Sequence, residues 1–145
     1  MRQPSFDPLS PHERSILMGK VKRKDNKTTE IALMQYLKKE RIFGWRRHLP
    51  IPGRPDFSFR KQKVAVFVDG CFWHGCPRCF RLPKQNRAFW KAKIEGNQKR
   101  DLSVNVRLRR LGWKVVRIKE CQLKNPERVV GRVAEATGCR VHLAV

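Results

Sequence analysis

The chain has 145 residues, of which 40% are hydrophobic and 32% charged, a balance that fits a folded single domain better than a disordered chain. Its 34 Lys and Arg against 12 Asp and Glu leave a net charge of +22. Such an excess repels itself in a compact state, so a polyanionic partner is expected, and nucleic acid is the first candidate. No apolar run reaches the roughly 20 residues of a membrane span, and Met1 to Pro11 lacks the apolar core of a secretory signal. An intracellular, cytoplasmic location is therefore expected. There the five cysteines read as metal ligands or core thiols rather than disulfides.

Residues 1 to 24 hold prolines and end in the basic run Lys20 to Lys24; they read as an N-terminal arm ahead of a domain over 25–145. Asp25 to Thr29 offers helix caps, and Glu30 falls in the first turn, where the helix dipole favours an anion. Ile31, Met34 and Leu37 recur at helical spacing and carry this helix to about Glu40. Phe43 to Leu49 is a candidate strand, closed by the loop residues Pro50, Pro52, Gly53 and Pro55. Asp56 to Phe59 resumes an extended pattern. Val64 to Val68 is a continuous apolar run that reads as a buried central strand. A cysteine-rich knuckle follows from Cys71 to Cys79. Ala88 to about Leu111 is a long basic helix ended by Gly112, Trp113 to Ile118 is another strand, and Pro126 opens a last helix. Val141 to Val145 is a candidate edge strand. Helix, three strands, helix, strand, helix is an α/β order that predicts a mixed sheet flanked by helices.

Three constellations carry chemistry. Asp56 enters one strand and Asp69 leaves the next; two adjacent antiparallel strands could bring these ends together as hard oxygen ligands for Mg²⁺. The plainer alternative has Asp56 capping a turn and Asp69 starting one before Gly70. Cys71, Cys76 and Cys79, with Cys121 after a later strand, could close a tetrahedral zinc site; buried thiols are the alternative. Phe72 and Trp73 sit inside the knuckle, where they could wedge between base pairs or cover the core. His74 beside them is a candidate general base and also a competing zinc ligand. Trp45, Trp90 and Trp113 read as core, Cys139 as a small apolar residue, and His12, His48 and His142 carry no motif.

The ordered blocks Pro52-Gly53-Arg54-Pro55-Asp56-Phe57, Val66-Phe67-Val68-Asp69-Gly70-Cys71-Phe72-Trp73-His74-Gly75-Cys76, Phe89-Trp90, Asn97-x-x-Arg100-Asp101, Leu111-Gly112-Trp113 and Glu120-Cys121-x-Leu123 resemble the signatures of very-short-patch repair endonucleases. The resemblance runs from about Met18 to Val133 and implies a restriction-endonuclease-like core. It also implies nicking of double-stranded DNA on the 5′ side of the thymine in a T:G mismatch left by deamination of 5-methylcytosine. By that resemblance Asp56 and the Val68 carbonyl hold Mg²⁺, His74 is catalytic, and Glu30 and Asp101 support the site. Cys71, Cys76, Cys79 and Cys121 would hold structural Zn²⁺. Phe72 and Trp73 would intercalate beside the mismatch, and Met18 would enter from the other groove. A nucleoid-associated monomer, with mismatch-repair proteins as further partners, is expected on the same ground.

Two departures stand out. Asp69 occupies a position where a well-known family member has histidine, leaving direct or water-mediated metal contact open. Cys79 sits about one position away from the expected third zinc ligand. Two rival readings are a restriction- or defence-associated nicking endonuclease with no mismatch requirement, and a catalytically inert zinc-containing nucleic-acid-binding protein.

Overall fold

A computed structural model describes residues 29–140. The expected arm over 1–24, its Met18 and the edge strand at 141–145 lie outside the described residues.

Helix α1 covers 29–39. It ends where Arg41 adopts φ 55°, with the Ile42 amide donating to the Leu37 carbonyl and the Arg41 amide to the Lys38 carbonyl. This left-handed cap satisfies carbonyls the helix would otherwise orphan, and both Ile42 and Leu37 are buried behind it. Strand β1 is only Trp45–Arg47, shorter than the expected 43–49. Gly44 at φ 94° and His48 at φ 51° bracket it, and a left-handed residue at each end cannot continue a strand. Strand β2 is Phe57–Phe59 and β3 is Val64–Asp69. Helix α2 runs Arg87–Arg110, β4 Lys114–Lys119, and a 3₁₀ turn over Glu120–Lys124 leads into α3, Pro126–Thr137. Asn125 caps α3 by accepting from the Arg128 amide, Pro126 stands in its first turn, and Gly138 at φ 73° ends it.

The sheet order is β1-β2-β3-β4. The first two pairings are antiparallel and the third is parallel, with α2 as the crossover. Side-chain alternation along β3 divides the core. Val64, Val66 and Val68 face a cluster with Leu33 and Leu37 of α1, Ile118 of β4, and Val129, Val130 and Val133 of α3. Ala65 and Phe67 face Leu108 and Val104 of α2. The sheet is therefore sandwiched, and β3 is buried along all six residues, as its unbroken apolar run requires. Cys139 packs at the edge of the larger cluster, in keeping with its reading as a small apolar residue. No helix among the described residues is long and apolar enough to cross a membrane.

Candidate active site and metal centres

The C-terminal end of β3 opens into a cleft of about 210 Å³ whose lining includes Asp56, Val68, Asp69, His74, Asp101 and Arg117. Asp56 lies just before β2, and antiparallel pairing of β2 with β3 brings it to the far end of that strand. There its Oδ2 accepts from the Val68 amide at 2.6 Å. The loop before it needs glycine at position 53. Its φ is 77°, and a Cβ would come within 2.4 Å of Val104 Cγ1.

Glu30 approaches Asp56 from α1. It is buried, pairs with Arg47, and has His48 Nε2 at 3.6 Å from its Oε2. Glu30, His48 and Asp56 each offer a ligand atom within 4.8 Å of the others. Burial, then the adjoining Glu30 carboxyl, push the Asp56 carboxyl up to about 8, against the lowering effect of the Val68 amide. Glu30 has Arg47 as its counter-charge, whereas Asp56 has only the Val68 amide to offset burial and the adjoining carboxyl, so a cation at Asp56 would favour its ionised form. The oxygen donors at Asp56, Glu30 and the Val68 backbone thus fit a hard divalent ion.

His74 is held on the other side. Its Nδ1 lies 2.5 Å from Asp101 Oδ2 and 3.8 Å from Asp69 Oδ1. Burial works to raise the Asp101 carboxyl. The hydrogen bond and charge of His74, with Arg117 and Arg100 behind them, outweigh it and hold Asp101 below the ordinary carboxylate range. An ionised Asp101 can only accept, so Nδ1 donates to it and Nε2 takes no part in that hydrogen bond. Helix α2 anchors the segment as well: Asn97 Nδ2 donates to the Trp73 carbonyl at 2.9 Å and Gln98 Nε2 to the His74 carbonyl at 3.3 Å. Gly75, at φ 61°, sits so close beneath α2 that a Cβ would meet Gln98 Nε2 at 2.5 Å.

The four cysteines of the knuckle also converge. Cys71, Cys76, Cys79 and Cys121 place their sulfurs within 4.8 Å of one another, Cys79 included despite its offset spacing. Cys76 Sγ and Cys121 Sγ are 3.8 Å apart, the separation expected of two sulfurs at about 2.3 Å from one tetrahedral zinc. Burial opposes ionisation of Cys76, yet the amides of Arg78 and Cys79 and the thiols of Cys121 and Cys71 bring it down to about 7. Cys71 is pushed the other way, first by burial. All four are free of disulfides, and the Cys121 amide donates to Cys71 Sγ at 3.3 Å. The donor set fits a soft divalent ion tying the knuckle to the end of β4.

Phe72 and Trp73 are engaged with other rings. Phe72 packs edge-on against Trp73 at 5.2 Å and Trp90 at 5.3 Å, and Trp73 is only 7% exposed. Sequence reasoning gave no role to Arg117, Arg47 or His48, and it quoted Asn97 only as part of a motif. Arg117 carried one signal: it is the lone cation between apolar neighbours in the middle of a strand. His48, dismissed for want of a motif, is beside Glu30.

The chain matches the family model described as DNA mismatch endonuclease Vsr over residues 6–79. It is 45% identical over 114 residues to the type II nicking enzyme V.NmeDIP of Neisseria meningitidis serogroup C, an overlap of 77% of this chain and 76% of that one. With the type II nicking enzyme V.XorIIP of Xanthomonas oryzae pv. oryzae it shares 38% identity over 124 residues, 82% and 88% of the two chains. With the DNA mismatch endonuclease Vsr of Escherichia coli strain K12 it shares 40% over 81 residues, about half of each chain at 54% and 51%. Fold, cleft and relatives define a metal-dependent DNA endonuclease with a restriction-endonuclease-like core. The chain belongs to the Vsr family.

Proposed function

We propose that this enzyme nicks duplex DNA on the 5′ side of the thymine in a T:G mismatch, by Mg²⁺-dependent hydrolysis of one phosphodiester bond. The observation that carries the chemistry is the convergence of Asp56 and Val68 with the His74–Asp101 pair in one cleft. Asp56 and the Val68 carbonyl, with Glu30 beside them, would hold Mg²⁺. When bound, that ion neutralises charge on the phosphoryl oxygens and makes water a better nucleophile. Asp101 holds His74 by Nδ1, so that Nε2 takes the proton from the attacking water. Arg54 and Arg100, which also line the cleft, meet the phosphate charge. Cys71, Cys76, Cys79 and Cys121 would hold Zn²⁺, which would fix the knuckle that carries His74.

Mismatch selection is supported by the family description and by the name of the Escherichia coli relative. Phe72, half-buried in the ring cluster, tests the stack beside the mismatch, which costs less to open than a matched step. Trp73 backs it. A second reading is nicking without a mismatch; the relatives that the chain overlaps more fully are named type II nicking enzymes. Strand-specific nicking of T:G and matched duplexes of the same sequence separates them. Cutting confined to the thymine strand of the T:G duplex supports the first, and equal cutting of both duplexes supports the second.

A further inference from the structure

Asp69 ends β3 next to Val68, and its carboxylate is buried. With His74 and Asp101 it offers ligand atoms within 4.8 Å of one another, a cluster of the kind that takes a divalent cation. A cation from the chain itself already stands there. Arg117 Nη1 donates to both Asp69 oxygens, at 3.0 and 3.2 Å, and lies 3.5 Å from Asp101 Oδ1. Its Nη2 donates to the Asp101 carbonyl at 3.4 Å and its Nε to Asn105 Oδ1 at 2.8 Å. The guanidinium rests over the Phe67 ring at 4.2 Å from the centroid, Phe67 being its partner in the β3–β4 register. Guanidinium stays charged at any working pH, and a planar fork held at this many points has one orientation.

We propose that Arg117 is a positioning residue that fills the Asp69–His74–Asp101 cluster in place of a divalent ion. It keeps Asp69 off the metal held by Asp56 and fixes Asp101 beneath His74. This rests on the metal and proton-transfer roles given to Asp56 and His74 above. A divalent ion entering the cluster would have to drive out a guanidinium whose partners are all here, leaving a poorly solvated charge unpaired. On the His74 side a guanidinium thus stands where a divalent ion would otherwise sit.

Titration calorimetry with Mn²⁺, on the zinc-loaded full chain without DNA, tests this. Asp69→Asn is expected to keep Mn²⁺ affinity within about threefold of wild type, since Asp69 is no ligand; true ligands and their orienting partners cost about 10–100-fold. Arg117→Met is expected to bind a second Mn²⁺ per chain, and that second ion is expected to vanish in the Asp69→Asn/Arg117→Met double variant. A purely structural arginine would yield no such gain. Arg117→Lys keeps the charge without the fork, so one Mn²⁺ is expected, with nicking slower by about 10–100-fold. A loss of Mn²⁺ affinity of about tenfold or more in Asp69→Asn overturns the proposal. So does a folded Arg117→Met that still binds a single Mn²⁺; if that variant does not fold, the Asp69→Asn titration decides alone. Asp56→Ala is the separate control. If it retains the first Mn²⁺, the metal assignment of the preceding subsection fails, whatever Arg117 does.

Discussion

His74 Nδ1 and Asp101 Oδ2 lie 2.5 Å apart although 27 residues separate them in the chain. The contact joins the knuckle to the middle of α2. It orients the imidazole and sets its tautomer through a carboxylate that the neighbouring cations keep ionised.

Loss of His74 is expected to slow nicking of a T:G duplex by about 10²–10⁴-fold. Asp101→Asn is expected to cost less, about 10–100-fold, because the ring remains but loses its anionic partner. Single-turnover rates measure both. Equal rates for Asp101→Asn and wild type would remove Asp101 from the mechanism. The depressed Asp101 carboxyl also contributes stability that is present above its unfolded value and lost as pH falls through its folded one, so Asp101→Asn should weaken the acid dependence of unfolding.

Asp56 has the opposite linkage. With its carboxyl raised to about 8, the metal-free fold holds a proton that the unfolded chain releases from about pH 4 upward. Stability of the Mg²⁺-free protein should fall as pH rises between those values, with the unfolding equilibrium changing by up to about tenfold per pH unit. Denaturant melts from pH 5 to pH 8 check this, and Asp56→Asn should flatten the trend. Mg²⁺ binding near neutrality should release a proton, read from calorimetry in buffers of different ionisation enthalpy. Asp56→Ala should abolish nicking while sparing DNA binding.

Zinc removal should unfold the chain rather than loosen one loop. Cys121 follows β4, which pairs with the central strand, while Cys71, Cys76 and Cys79 belong to the knuckle, so metal-binding energy enters as folding energy. Cys121→Ser should lower the melting temperature and the zinc content together. A cooperative melt at the wild-type temperature with no zinc bound would contradict the assignment.

Phe72→Ala and Trp73→Ala should behave differently. Trp73 is buried against Trp90 and Phe72, so its removal should cost about 3–5 kcal/mol of stability. Phe72→Ala should instead lower the ratio of T:G to matched cutting, a base–aromatic stack being worth about 1–3 kcal/mol. Thermal melts beside the two cutting rates distinguish the effects. An unchanged ratio in a folded Phe72→Ala protein would take that ring out of mismatch recognition.

DNA binding should be strongly salt-dependent, given the net charge of +22. About six phosphate contacts would give a log–log slope near −5. Deleting residues 1 to 24 should flatten the slope, since Lys20 to Lys24 would no longer displace counterions. Fluorescence anisotropy across a salt series measures both slopes.

Sequence alone determined what local pattern encodes. The run Val64 to Val68 had to be a buried strand, Asn125-Pro126 a helix start, and Cys71 to Cys79 a knuckle, because strand burial, capping and chelate spacing act over a few residues. The ordered motifs also carried the family. Local pattern stopped short at Phe43 to Leu49, where left-handed backbone at Gly44 and His48 cut the strand to three residues. Tertiary structure decided which side chains meet in and beside the cleft. Arg117 and Asp69 are 48 residues apart and Glu30 and Arg47 are 17 apart, and neither pair shares an element. Their meeting depends on strand register, on the parallel return of the chain through α2, and on how α1 packs across the sheet. Those are long-range choices made by burying apolar faces together, so a charged residue's partner is set by the packing of its neighbours rather than by its own place in the sequence.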